Sequence, residues 1–240
     1  EAPYGVRTWY LGNEMDGPWQ IGSWEKNPRG YGILAHEVSK GMKWIDPSIE
    51  TVACVSSSPF LAHYPQWDLE VLQECYETVD YISLHHYHIA PPGDYGALLG
   101  GSCYFEDYIK TEIGLCDFMK TKLRSPKKMM LSFDEYGSRE QPLKGVLPGR
   151  GTVWEHEFNR ERGYVRHDPD KMDSDTPFIQ RGGMLDALSS ASTLLTLLRH
   201  ADRVKIGCMT SGLHTLAAVS HDHVWKPAAH YPFTHLMKYG

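Results

Sequence analysis

Two glutamates stand where apolar runs end. Glu14 follows Thr8-Trp9-Tyr10-Leu11-Gly12, with Asn13 directly before it, and Glu135 closes the run Met129-Met130-Leu131-Ser132-Phe133-Asp134. A carboxylate at the end of a buried strand is costly to desolvate unless it is paired or used. Two of them at one mouth of a parallel sheet suit cleavage of a glycosidic bond. One acid protonates the leaving oxygen, while the other carboxylate attacks the anomeric carbon or activates water. The competing reading makes each a structural carboxylate held by an arginine. Asp16 and Asp134 adjoin the two candidates and could orient or tune them. For Asp134, strand alternation points away from Glu135, into the layer between sheet and helices, as a structural hydrogen-bond acceptor.

Histidines offer a rival chemistry. His85-His86-Tyr87-His88 and His221-Asp222-His223 have the look of metal-ligand runs. On a strand, His86 and His88 share one face and Ser83, His85 and Tyr87 the other. A metal-dependent hydrolase needs an inward H-x-H pair and a further ligand. His221 and His223 lie in a polar stretch that reads more simply as a solvated turn. No metal or organic cofactor is expected. Among the aromatics, Trp19 could line a sugar cleft or pack, whereas Trp24, Trp44, Trp67 and Trp225 read as structural.

The elements that must carry these residues alternate. Strand-like runs cover Thr8–Gly12, Thr51–Val55, Val79–His85, Met129–Phe133 and Val204–Met209. Helical spacing places Leu34, Val38, Met42 and Ile45 on one face, and Leu69, Leu72 and Tyr76 in register within Trp67–Tyr76. Phe105–Leu123, with Phe105, Ile109, Ile113, Cys116 and Met119 on one side, and Met184–Leu198 are long helices; Pro232–Lys238 begins a last one. Alternation of this kind predicts an α/β fold with a parallel sheet. An open nucleotide-binding sheet wants a glycine-rich loop after its first strand, and here Gly12-Asn13-Glu14-Met15-Asp16-Gly17 stands there. That favours a (β/α)8 TIM barrel with its chemistry at the strand C-termini. Five strands cannot close such a barrel, so three βα units must come from elsewhere. The segment from about 137 to 180 breaks the rhythm and reads as a long inserted loop, either substrate-facing or a plain insertion.

Composition narrows the classes. The 240 residues carry 24 Lys and Arg against 30 Asp and Glu, without basic clusters, which argues against nucleic acid as the main partner. No apolar run is long enough to cross a membrane as a helix. Five cysteines (Cys54, Cys75, Cys103, Cys116 and Cys208) include no C-x-x-C pair and leave at least one unpaired, which favours a reducing compartment such as the cytoplasm. Cys54 and Cys208 sit in strand runs, where a free cysteine serves as a small buried hydrophobe.

Five stretches in order resemble glycoside hydrolase family 51, the α-L-arabinofuranosidases. Trp9-Tyr10-Leu11-Gly12-Asn13-Glu14-Met15-Asp16-Gly17-Pro18-Trp19-Gln20 resembles the family's acid/base motif. Trp44-Ile45-Asp46-Pro47-Ser48-Ile49-Glu50 before Val52-Ala53-Cys54 is similar to its next segment. Asp80-Tyr81-Ile82-Ser83-Leu84-His85 resembles its sixth strand, Leu131-Ser132-Phe133-Asp134-Glu135 its nucleophile strand, and His200-Ala201-Asp202-Arg203-Val204-Lys205-Ile206 its eighth. The likeness covers nearly the whole chain apart from about 137–180.

The resemblance implies a retaining exo-acting hydrolase that releases terminal non-reducing α-L-arabinofuranosyl residues. Residues 1–240 would be the C-terminal part of its catalytic barrel, holding strands four to eight. The first three strands and a β-sandwich would belong to the rest of the protein. Glu14 would be the acid/base and Glu135 the nucleophile; Asn13 would bind the hydroxyl beside the anomeric carbon, with His85 and Tyr87 near the nucleophile. The substrate would be an oligosaccharide or polysaccharide furanoside. Members of the family are often homo-oligomers, and bacterial ones are often intracellular. The sequence also departs from the family. Tyr136-Gly137-Ser138-Arg139 replaces Trp-Asn-x-Trp, putting Arg139 in the place of a pocket tryptophan; Ser211 replaces a glutamine and His214 an asparagine. Trp154 or His156 could supply wall contacts instead. The carboxylates are kept while the pocket wall changes. The alternatives are therefore a β-D-galactofuranosidase, an endo-glucanase or xylanase, or a non-catalytic carbohydrate-binding relative.

Overall fold

The computed structural model describes residues 4–91, 93–140, 183–210, 216, 218–219 and 224–240. In chain order the elements are β1 (Thr8–Tyr10), α1 (Pro28–Ile45), β2 (Glu50–Cys54), α2 (Gln66–Cys75), β3 (Tyr81–Ala90), α3 (Tyr95–Leu123), β4 (Met130–Glu140), α4 (Met184–Arg199) and β5 (Val204–Met209). Two short strands, β6 (Ala218–Val219) and β7 (Val224–Trp225), and a last helix α5 (His230–Tyr239) follow. Strands β1 to β5 form one sheet in sequence order, and β6 pairs with β7 in an antiparallel ribbon. Thr8 lies opposite Glu50 and Val52 opposite Tyr81 in parallel register. A parallel sheet whose strands follow one another in sequence, each joined to the next by a helix, is the αβ alternation read from the sequence.

The chain divides into two compact units. One comprises Glu1–His86, Tyr108–Asp134 and Asp202–Gly207; the other comprises Tyr87–Asp107, Glu135–Ala201 and Cys208–Gly240. In the first unit, Asn27 caps α1 by accepting from the Gly30 amide at 3.0 Å, with Pro28 beginning the helix. Tyr31 of α1 stacks on Trp67 of α2 at 5.7 Å between ring centroids. The Tyr31 hydroxyl accepts from the Cys54 amide at 2.8 Å and donates to the Leu11 carbonyl at 3.3 Å. It thereby fixes the end of β1 just before the Gly12-Asn13-Glu14 turn. Gly32 lets α1 approach α2, because a Cβ there would lie 2.9 Å from the Val71 carbonyl oxygen. Tyr108 of α3 packs edge-on against Phe133 of β4 and over His86 of β3.

Several boundaries and faces differ from the sequence expectation. Helix α3 begins at Tyr95, ten residues before Phe105. Gly96, Gly100 and Gly101 weaken the helical signal in that turn-rich start. In the second unit Gly101 is required sterically, since a Cβ there would lie 2.2 Å from the His88 ring. Strand β4 runs on to Glu140, so the first residues of the segment expected to be loop continue the strand; 141–180 lie outside the described residues. In α1 the buried residues are Tyr31, Gly32, Ala35 and Ser39. The expected stripe is the exposed one: Leu34 and Val38 are half-exposed and Ile45 is 87% exposed. Trp44, read as structural, is 90% exposed on the same helix, and Trp225 is half-exposed. Cys208 is exposed rather than buried, because β5 is an edge strand; Cys54 is buried, and all five cysteines are free thiols.

Strand β1 is the other edge, and Trp9 and Tyr10 remain partly exposed on it. An edge with open backbone groups beside uncovered apolar side chains is an aggregation template. Expressed by itself, the Glu1–Gly240 polypeptide is expected to be insoluble or molten. A thermal scan with a hydrophobic-dye assay checks this; a cooperative transition of a soluble monomer would overturn it.

Candidate active site

Glu14 sits in the first unit on the turn that leaves β1. Gly12 enters that turn at φ +146°, and Glu14 itself holds φ +45°. For a residue with a Cβ this left-handed backbone costs about 1–2 kcal/mol, and such strain concentrates where a side chain must be aimed. The Glu14 carbonyl accepts from the Gly17 amide at 2.8 Å, and the Met15 carbonyl from the Trp24 amide at 2.8 Å, which closes the loop. Glu14 Oε2 accepts from Trp19 Nε1 at 2.5 Å and from Gln20 Nε2 at 2.9 Å. Its other oxygen, Oε1, lies 3.0 Å from His85 Nδ1. Burial pushes the carboxyl upward, but the bonds from His85, Trp19 and Gln20 outweigh it and hold Glu14 below its ordinary value.

His85 is buried and reaches a second carboxylate: its Nε2 lies 3.3 Å from Asp134 Oδ2. Asp134 Oδ2 also accepts from Ser83 Oγ at 2.9 Å, and Ser132 Oγ lies 3.4 Å from Oδ1 and 2.8 Å from the Tyr10 hydroxyl. Asp134 therefore does not enter the layer between sheet and helices as alternation from Glu135 suggests. It shares a face with Ser132, while Phe133 takes the helix side against Tyr108. Asp16, expected to tune Glu14, is instead buried away from it. It accepts from the Ser57 amide and hydroxyl at 2.9 and 3.1 Å, beside His63 at 3.4 Å.

Glu135 belongs to the second unit. Its Oε2 accepts from the Tyr87 hydroxyl at 2.5 Å, and that hydroxyl lies 2.8 Å from Thr210 Oγ1. The hydroxyl has one proton, which the charged acceptor takes, leaving Thr210 to donate to the Tyr87 oxygen. The Thr210 amide donates to the Tyr136 carbonyl at 3.0 Å, which fixes the threonine beside β4. Tyr87→Phe should remove the donor to Glu135 without opening a cavity. The expected result is a 10- to 100-fold lower kcat, about 1.4–3 kcal/mol for a hydrogen bond to a charged group, with the melting temperature nearly unchanged. Steady-state kinetics beside a melt check it.

Of the residues singled out in the sequence, His85 and Trp19 bond to Glu14, and Tyr87 to Glu135. Asn13 is exposed beside Glu14. Arg139 lies on β4, but its side chain lies outside the described residues, as do Ser211, His214, Trp154, His156, His221 and His223 entirely. His88 Nε2 meets the Ala97 carbonyl at 2.7 Å on α3, and His86 packs by Tyr108 of the same helix. Gln20 and Thr210 are site residues that the sequence does not single out. Gln20 lies within the acid/base motif, and Thr210 is the polar residue that follows the apolar run of β5.

No family model matches the chain. All of it aligns, at 38% identity over 245 residues, with 45% of the intracellular exo-α-(1→5)-L-arabinofuranosidase of Acetivibrio thermocellus. It is 38% identical over 250 residues to intracellular exo-α-(1→5)-L-arabinofuranosidase 1 of Bacillus subtilis, covering 44% of that protein. A solved family 51 α-L-arabinofuranosidase from Bifidobacterium longum superposes with a TM-score of 0.75 at 26% identity, covering 98% of this chain and 44% of its own. Along its whole length the chain is similar to α-L-arabinofuranosidases, one of them named as a member of glycoside hydrolase family 51. An α-L-arabinofuranosidase from Thermotoga maritima in complex with arabinose, at 22% identity and a TM-score of 0.68 over 96% of this chain and 39% of its own, shares the fold. The chain thus spans less than half the length of these proteins, and its five parallel strands correspond to part of a (β/α)8 barrel.

Proposed function

We propose that this chain is the C-terminal part of the catalytic barrel of a retaining exo-α-L-arabinofuranosidase. The observation that carries the reading is that each glutamate, Glu14 on the turn after β1 and Glu135 within β4, has its own set of hydrogen-bonding partners. Glu14 is held by Trp19, Gln20 and His85, and Glu135 by Tyr87. The names of the relatives supply the sugar. In the double displacement, Glu135 attacks the anomeric carbon while Glu14 protonates the departing oxygen. Water then enters, giving its proton to Glu14 as its oxygen replaces Glu135. Asn13 binds the hydroxyl next to the anomeric carbon, and Trp19 lines the sugar site. The remaining barrel strands and a β-sandwich come from the rest of the protein. The assembled enzyme works inside the cell as a homo-oligomer, in keeping with relatives named intracellular and with five free thiols.

The change from Trp-Asn-x-Trp to Tyr136-Gly137-Ser138-Arg139 favours a second reading, in which the furanoside differs. The test is a panel of nitrophenyl furanosides and pyranosides with the full-length protein, following product configuration by NMR. Release of arabinose first formed as the α-anomer supports the proposal. The β-anomer means inversion, and preference for another sugar selects the second reading.

A further inference from the structure

His85 lies between two carboxylates. Its Nδ1 is 3.0 Å from Glu14 Oε1 and its Nε2 is 3.3 Å from Asp134 Oδ2. A neutral imidazole carries one N–H and can donate to only one of them; the other carboxylate then faces a lone pair unless it holds the proton itself. The side chain is 2% exposed, so water does little to soften that conflict. Glu14 Oε2 already receives Trp19 and Gln20, and Asp134 Oδ2 receives Ser83. With those oxygens acting as acceptors, the proton that this group binds belongs between Glu14 Oε1 and His85 Nδ1.

We propose that His85 stores the proton that Glu14 delivers, and that Asp134 is the positioning residue that keeps it there. This rests on Glu14 being the acid/base of the reaction proposed above. In the resting enzyme His85 is an imidazolium, donating from Nδ1 to Glu14 and from Nε2 to Asp134. As the glycosidic C–O bond breaks, the leaving oxygen takes a proton from Glu14 and Glu14 takes one from Nδ1. The imidazole left behind is neutral, its Nε2–H still on Asp134. When water attacks, its proton passes to Glu14 and on to Nδ1, its oxygen bonds to the anomeric carbon, and the bond to Glu135 breaks. The cycle ends with the proton where it began. The lowered position of Glu14 agrees with an ionised carboxylate beside a charged ring.

Other groups near the pair have separate partners. Cys54 of β2 is buried, and its thiol is pushed up to about 12, by burial first, with the Asp134 and Asp16 charges adding to it. Cys54 therefore stays neutral where the enzyme would work. Tyr10 of β1 is linked to Asp134 through Ser132, and Asp16 is bound to Ser57. Glu135 follows Asp134 in the chain and takes its bond from Tyr87.

The test is ¹⁵N NMR of the full-length protein labelled at histidine, with His85→Gln to assign the signal, beside the pH profile of kcat/KM on an alkyl furanoside. In the wild type, both ring nitrogens of His85 should be protonated at the pH optimum. Loss of the Nδ1 proton should coincide with the alkaline limb, since the limb reports the pair rather than either residue. Asp134→Asn keeps the shape and removes the opposing charge. It should lower both the titration midpoint and the limb by about one pH unit, the lower end of what a close opposite charge supplies. The activity above the limb then falls about tenfold, with the plateau below it nearly kept. A merely structural Asp134 would lower activity equally at every pH and leave the midpoint in place, which overturns the proposal. A neutral His85 across the active range overturns it too, and that wild-type measurement needs no variant. If His85 titrates as expected but no furanoside is cleaved, the proposed function fails and the proton store stands. If a furanoside is cleaved but the midpoint does not move, the proton store fails and the proposed function stands.

Discussion

Glu135→Ala should abolish turnover on every substrate while the protein stays folded. Glu135 is only partly buried, and its bonding partner is the Tyr87 hydroxyl, which keeps Thr210 after the change. In the proposed double displacement, removing the carboxylate deletes the atom that bonds to the anomeric carbon, so neither step can proceed. The loss of kcat is expected on the order of 10⁶, the scale reached when a covalent hydrolase loses its nucleophile. The leaving group should not matter. Kinetics on a nitrophenyl and an alkyl furanoside, with a thermal melt as control, check the outcome. Undiminished activity on either would reject the mechanism.

Glu14→Ala should fail differently. Without the proton donor, cleavage of an alkyl furanoside is expected to fall about 10²–10⁴-fold. A nitrophenyl leaving group needs little protonation, so the first step should survive with it. The glycosyl-enzyme should then accumulate, since the base for its hydrolysis is gone as well. Azide needs no deprotonation and should intercept the intermediate, giving a glycosyl azide of retained configuration. Equal losses on both leaving groups with no azide product would remove Glu14 from the acid/base role.

Both glutamates stand out in the sequence, because each follows an apolar run that reads as a strand, and a carboxylate there needs a reason. The partners of those glutamates are harder to read. Glutamine and threonine occur in every polar stretch, so neither Gln20 nor Thr210 announces itself by type, and only the fold brings them to Glu14 and Tyr87. Alternation counted from Glu135 misplaces Asp134. Its own near neighbours settle its side, with Ser132 on the same strand and Ser83 and His85 on the next. Helix α1 carries two apolar stripes. Periodicity picks out the one with larger residues, Leu34, Val38, Met42 and Ile45, whereas Tyr31, Gly32, Ala35 and Ser39 are what it buries. Small residues mark close approach, and a hydrophobicity count undervalues them.

The left-handed backbone at Glu14 has a consequence for how this sequence can drift. At φ +45° a glycine would relieve the strain and an asparagine would ease it. Those changes also remove the carboxylate acceptor that Trp19, Gln20 and His85 share, so the backbone gain is opposed by the loss of three bonds. Drift at this position is therefore constrained twice, by a turn that suits glycine and by a side-chain network that suits a carboxylate.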